Sequence, residues 1–281
     1  MITHALNLET ALLLNALSLV VPSATDDGEF HGPSILEFFP DVVLFAGTPF
    51  EMNRIMIIRV IALGILALLF WLGTRNMKMV PGKFQSLIEM ALDFVRVNIA
   101  EDLLGKKDGQ RFLPLLTAIF WGVLFMNLTG IIPGMNIAGT SVIGMPLTLA
   151  VIAYIAFIYA GVKKHPGAFF KNSLTPPGVP PALYILVTPI EFVSTFILRP
   201  ITLTLRLMMN MVVGHLLLVL FFAATHFFFF TMEGWWSLFG LGSLAFGIVF
   251  TLFEVLIALL QAYIFALLTA VYIQLALAEE H

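Results

Sequence analysis

From residue 182 to residue 278 the chain is two apolar stretches, 182–230 and 237–278, separated only by TMEGWW. Wound as α-helices at about 1.5 Å per residue, the 49 residues of the first would extend about 74 Å and the 42 residues of the second about 63 Å. A hydrocarbon core is only about 30 Å thick. Each stretch therefore hides two spans or is one helix steeply tilted or bent along a neighbour. The 252–278 run has no Pro or Gly to turn on, which favours the tilted helix. Composition agrees with a lipid solvent: 60% of residues are apolar and 11% charged, against roughly 25% charged in soluble domains.

Upstream, a first span is expected over 52–73, with Arg54 and Arg59 near its start. A second covers 112–133 and ends in NLTGIIPG, and a third covers 140–162, followed by Lys163 and Lys164. Between the first two, Phe84, Leu87, Ile88, Ala91, Leu92, Val95 and Ile99 recur at three- and four-residue steps. Gln85, Glu89, Asp93 and Arg96 take the opposite face, the pattern of an amphipathic helix lying on the membrane surface. A Pro-rich linker (Pro176, Pro177, Pro180, Pro181) leads into the long stretches. Near the start, the apolar run 11–21 is about half the length of a span and lacks the basic flank of a secretion signal. The expected division is a 1–51 extracytoplasmic segment, a 52–73 span, a 74–111 cytoplasmic loop, a 112–162 hairpin, a 163–181 linker and the long helices of 182–281. The fold class is all-α and polytopic, with about five spans.

Sidedness follows from the basic residues. Ten of the 14 Lys and Arg lie within 75–171, in segments that span counting assigns to one face. That face is expected to be cytoplasmic, with the N-terminus outside and the C-terminus inside. Arg54 and Arg59 run against this rule and are expected to snorkel to the outer surface. The 17 acidic residues nearly cancel the basic ones, which argues against a nucleic-acid partner. Without cysteine there is no disulfide or thiolate ligand, and the six histidines are scattered, so neither metal nor cofactor is expected. No nucleotide-binding, hydrolase or zincin motif is present, and GLGSLAFG (240–247) reads as helix packing.

Arg206 is the last basic residue; from there to the end the chain has neither Lys nor Arg. It lies inside ITLTLRLMMNMVVGHLLLVLFF, where insertion costs about 2.5–3.5 kcal/mol or more. Its guanidinium stays protonated, so it needs a carboxylate partner, a water-filled cavity, or both. Glu191 and Glu254 are the only acids within the long stretches. Asn210, four residues on, shares the Arg206 face, whereas His215 lies about 180° round the helix and is expected to face the last helix. Glu254 and Gln261, seven apart, are nearly aligned. A buried Glu opposite a buried His, with amides beside them, has the chemistry of a proton relay. Arg199, beside Pro200, reads as a snorkelling or structurally paired residue. Read without any family in mind, a self-contained ion channel or transporter and a purely structural membrane scaffold both stay open.

Four segments together resemble subunit a of the bacterial F-type ATP synthase: VPGKFQSLIE (80–89), MNLTGIIPG (126–134), LRPITLTLRLMMNMVVGHLL (198–217) and FEVLIALLQAYIFALLTAVYI (253–273). The resemblance runs from about residue 35 to the end. It implies a stator subunit whose long tilted helices hug a ring of c subunits, each bearing one mid-membrane carboxylate, with b subunits of the peripheral stalk and the remainder of the F1Fo complex as further partners. It maps the arginine that meets the ring carboxylate onto Arg206. It places Asn210, His215, Glu254 and Gln261 on the outer proton half-channel, and Glu191, Ser194 and Thr202 on the inner one. The stretch from Glu191 to Pro200 is one residue longer than the family pattern. In some relatives the acid and the histidine exchange positions. The resemblance further implies a non-catalytic chain of the plasma (inner) membrane, in contact with lipid and conducting protons rather than sodium.

Overall fold

The computed structural model describes residues 32–278 apart from 41, 45–46, 48–50, 76, 133–134, 165–168, 170–183 and 233. The 11–21 run, the Pro-rich linker and the last three residues lie outside the described residues. Five helices are long and apolar enough to cross a membrane.

The described chain opens with one 3-10 turn, Ile35–Phe38, then pairs β1 (Val42–Leu44) with β2 (Met52–Asn53) in antiparallel register. Asn53 ends that ladder and starts α1 (Arg54–Thr74): its side-chain oxygen accepts from Met56 N at 2.9 Å, filling one of the open donors of the first turn. Helix α2 (Lys83–Val95) runs on through a π-helical turn, Arg96–Glu101, into α3 (Asp102–Leu128). The chain changes direction at Gly105, whose φ of 72° is left-handed and suits glycine. Helix α4 (Gly144–Lys164) returns from the connection that follows α3.

The two long stretches are continuous helical runs of 47 residues (Tyr184–Phe230) and 44 residues (Gly234–Leu277). The first comprises α5 (Tyr184–Phe192), a π-helical turn (Val193–Leu198) and α6 (Arg199–Phe230). The second is almost wholly α7 (Ser237–Leu277). Neither divides into two spans, so at about 1.5 Å per residue both must tilt or bend to stay in a hydrocarbon core.

The core lies where α3 meets the second half of α7, joined by α4 and the first half of α6. On α7 the buried stripe is largely alanine (Ala258, Ala262, Ala266, Ala270, Ala276). Small side chains let helix backbones approach closely, which replaces the missing hydrophobic drive between helices in lipid. The stripe receives Phe112, Leu116, Ile119, Phe120 and Val123 of α3. Gly240, from the glycine-containing segment, lies against Phe228 and Phe229, so that segment does pack helices.

The arginines of α1 are held by backbone carbonyls. Arg54 Nη2 donates to Met135 O at 3.1 Å; Arg59 Nε donates to Gly139 O at 2.6 Å and its Nη2 to Val142 O at 3.4 Å. They fasten the α3–α4 connection. The physical reason is that this connection turns back among the helices, and its non-helical carbonyls need donors there. The connection also satisfies itself: Thr129 Oγ1 donates to Met126 O, and Thr140 Oγ1 donates to Asn127 Oδ1. At the opposite end, Lys164 Nζ donates to Leu277 O at 2.9 Å, and Arg199 lies over the Tyr272 ring at 5.4 Å.

Candidate functional site

Helix α6 presents three faces. Leu207, Met211, Gly214 and Leu218 recur at helical spacing, are buried, and form the stripe that meets α7. Val212, His215 and Leu216 form a second face, covered by Phe38, Ile55 and Ile137 from the start of the chain and the α3–α4 connection. Ile201, Leu205, Met209 and Val213 form a third, each 42–49% exposed, and Arg206 lies among them.

Arg206 stands close to the middle of its helical run, Tyr184–Phe230. It is exposed on the outside of this chain. Among the described residues Arg96 pairs with Asp93 and Glu101, whereas no ion pair or hydrogen bond of Arg206 is found. The intrachain partners open to it in the sequence do not take that role: Glu191 is half-buried one helical segment away, and Glu254 is turned inward.

Glu254 likewise sits close to the middle of its own run, Gly234–Leu277, and meets α6 eight residues beyond Arg206, about 12 Å along that helix. It is 2% exposed, and its Oε2 has no hydrogen-bond partner among the described residues. The carboxyl lies directly against the backbone of α6 at Gly214: a Cβ there would stand 2.7 Å from Glu254 Oε1. Only glycine leaves this space. Further along α7 on the same side, Gln261 Oε1 accepts from Asn210 Nδ2 at 2.8 Å. Asn210 is itself exposed, so this bond links the buried α6–α7 seam to the surface that carries Arg206.

His215 is buried, but its ring packs edge-to-face on Phe38, with centroids 5.2 Å apart and planes at 75°. Gly214, one position earlier, meets the last helix at Glu254. His215 is rotated about 100° from it, onto the face that Phe38 covers.

The inner group is less connected. Glu191 and Ser194 are half-buried and Thr202 is exposed, and no hydrogen bond joins the three among the described residues. Thr202 Oγ1 donates to Arg199 O at 3.1 Å. A π-helical turn, Val193–Leu198, lies between Glu191 and Pro200. A π-turn closes i→i+5 hydrogen bonds and so absorbs one residue more than an α-turn. Regular 100° spacing therefore cannot be carried across it from Arg206 to Glu191. Tyr154 OH donates to Thr195 O at 3.2 Å within that turn, tying it to α4.

Gly214 and Phe38 are the two neighbours that sequence reasoning missed. Gly214 stands in the Arg-Leu-x-x-Asn-x-x-x-Gly-His string, but no local signal says that a carboxyl of the next long helix rests on it. Phe38 carries no signal at all.

These features define a polytopic helical membrane protein that holds a cation on its surface and a carboxyl in its interior, each near the middle of a long helical run. The family described as ATP synthase A chain matches residues 56–274. The chain is 54% identical over 257 residues, covering 90% of itself and 93% of the relative, to ATP synthase subunit a of Rhodococcus erythropolis (strain PR4 / NBRC 100887). It is 40% identical over 269 residues to ATP synthase subunit a of Frankia alni (strain DSM 45986 / CECT 9034 / ACN14a), covering 93% of itself and 91% of that chain. The chain belongs to the ATP synthase subunit a family, the proton-translocating membrane component of the F-type enzyme.

Proposed function

We propose that Arg206, Asn210, His215, Glu254 and Gln261 carry the proton path of this subunit, with Arg206 facing a ring of c subunits. The observation that carries the reading is the unmatched cation. Arg206 stands near the middle of its helical run on an exposed apolar face, and this chain brings no carboxylate to it among the described residues. A charge so placed is costly in lipid and is stabilised when a partner presents a carboxylate there.

Protons enter from outside by way of Glu254, His215 and the Asn210–Gln261 pair, and neutralise a ring carboxylate, which then moves into lipid. An arriving carboxylate meets Arg206, whose fixed charge attracts the ionised form and repels a proton that would cross directly between the half-channels. Protons leave on the other side of Arg206 past Thr202, Ser194 and Glu191. The membrane potential supplies about 2.3 kcal/mol per charge per 100 mV, so several transfers accompany each ATP made elsewhere in the complex. This chain makes no ATP itself.

The further partners are the b subunits of the peripheral stalk, and the setting is the plasma membrane with the N-terminus outside. The sidedness is supported by the gathering of Lys164 and Arg199 at the end of the bundle where α7 terminates. Helix α2 then lies towards the cytoplasmic surface.

The test is ATP-driven proton pumping in inverted vesicles carrying Arg206→Ala, with assembly read from co-purification of the ring. Pumping is expected to vanish while the ring is retained. Near-normal pumping would reduce Arg206 to a packing residue and leave the chain as a scaffold.

A further inference from the structure

Phe38 stands ahead of the first span and His215 on the first long helix, yet both are 4% exposed and their rings meet at 5.2 Å. Aromatic pairs in this edge-to-face geometry gain beyond the area they bury. The segment bearing Phe38 is held at several points. The 3-10 turn that ends on it leads into β1, and β1 pairs with β2, which runs straight into α1. Asn53 of β2 caps α1, and Ile55 in the next turn, 1% exposed, packs on Phe38. From the other side comes Ile137, 5% exposed, in the connection that Arg54 and Arg59 fasten through Met135 O, Gly139 O and Val142 O. Val212 and Leu216 on α6 flank His215 and complete the contact. Three stretches distant in sequence thus close over one face of α6, and among the described residues the imidazole is the titratable side chain on that face.

We propose that Phe38 is a positioning residue for His215: it fixes the imidazole beside the Gly214–Glu254 contact and closes that side of the proton path to the outer surface. The assignment rests on the reading of His215 as part of that path. A ring held less firmly would present its nitrogens to the path for only part of the time, so proton delivery would slow without loss of the fold. An aliphatic side chain at position 38 fills the space over Ile55 and Ile137 but offers no ring edge to orient the imidazole.

The test uses the complete complex in inverted vesicles, comparing Phe38→Ala, Phe38→Leu and Phe38→Tyr for ATP-driven pumping, with ring co-purification as the assembly control. Phe38→Ala and Phe38→Leu are expected to slow pumping about 2- to 10-fold, and Phe38→Tyr to restore most of it. In parallel, solid-state NMR of ¹⁵N-histidine-labelled complex, with the His215 ring signals assigned by their loss in His215→Gln, should show those signals broadened in Phe38→Leu and sharp in Phe38→Tyr. Normal pumping with unchanged ring signals in Phe38→Leu overturns the proposal. So does a Phe38→Tyr variant as slow as Phe38→Ala. If Phe38→Ala fails to assemble, Phe38→Leu and the spectra decide. If the Phe38 variants behave as expected but Arg206→Ala pumps normally, the Phe38 contact stands and the wider reading of the site falls.

Discussion

Arg59 and Arg206 are both arginines within apolar helices, and the chain treats them in opposite ways. Arg59 is half-buried, and its guanidinium is occupied by the carbonyls of Gly139 and Val142. Arg206 is exposed at the middle of its helical run, and none of the described hydrogen bonds or ion pairs includes it. An arginine in a membrane segment is thus not by itself the mark of function. What separates the two is whether the chain satisfies the side chain's donors from its own backbone. Arg59 completes a fold; Arg206, on the function proposed above, waits for a partner's carboxylate.

The same chemical change at the two positions should therefore have unlike consequences. Arg206→Gln is expected to lower ATP-driven pumping at least about 10²-fold, the scale on which a preorganised electrostatic group is lost, with little change in the thermal stability of the detergent-solubilised complex. Glu254→Gln keeps the shape of the buried side chain but removes a group that can carry a proton. Pumping should fall by up to about 10²-fold, the lower range for loss of a positioned acid or base. If Glu254→Gln pumps at the normal rate while Arg206→Gln does not, the buried carboxyl is packing, and protons reach the ring by another route.

Much of this was legible in the sequence, and what was not has a common cause. The apolar runs gave the number of spans, and the run 252–278 without Pro or Gly gave an unbroken last helix, because both depend on local composition. Asn210 and Gln261 were assigned to one site, and they do bond across two helices. The misses concern which element faces which. Period-3.6 reasoning tells what shares a face of α6, but nothing local says that Phe38 will cover His215, or that carbonyls of the distant α3–α4 connection will take Arg59. The two strands are too short to carry a period. Regular spacing also fails across the π-turn Val193–Leu198, so it does not tell how Glu191 and Ser194 stand relative to the residues after Pro200.

Between these extremes stands Gly214→Ala. A methyl group at 2.7 Å from Glu254 Oε1 forces the carboxyl aside, and a misplacement of this kind, far smaller than a charge loss, should slow pumping about 10-fold. Gly214→Ala in a Glu254→Ala background should add nothing further, which separates a clash with the carboxyl from a general effect on helix packing. Arg59→Gln belongs to the other side of the comparison. It removes charge-assisted hydrogen bonds to the α3–α4 connection, each worth about 1.5–3 kcal/mol when well buried and less at this half-buried site. It should lower the thermal midpoint of the complex by several degrees, with per-complex pumping nearly unchanged. Loss of pumping equal to that of Arg206→Gln would erase the distinction between the two arginines.

The smallest effect is expected where the two regimes meet. Asn210 is exposed beside Arg206, yet it donates to Gln261 on the buried seam of α7. As a bond between helices in lipid it is worth only about 0.6 kcal/mol. A double-mutant cycle of Asn210→Leu and Gln261→Leu, read by thermal stability, should return a coupling of that size. Read by pumping, the cycle tests something different. If the pair only glues helices, the two single variants and the double variant should pump alike and nearly normally. If the amides hold water for the proton path, each single variant should slow pumping several-fold and the double variant hardly more, because either leucine breaks the same hydrogen-bonded line. A stability coupling without a pumping coupling would move Asn210 to the side of Arg59, as a residue that completes the fold.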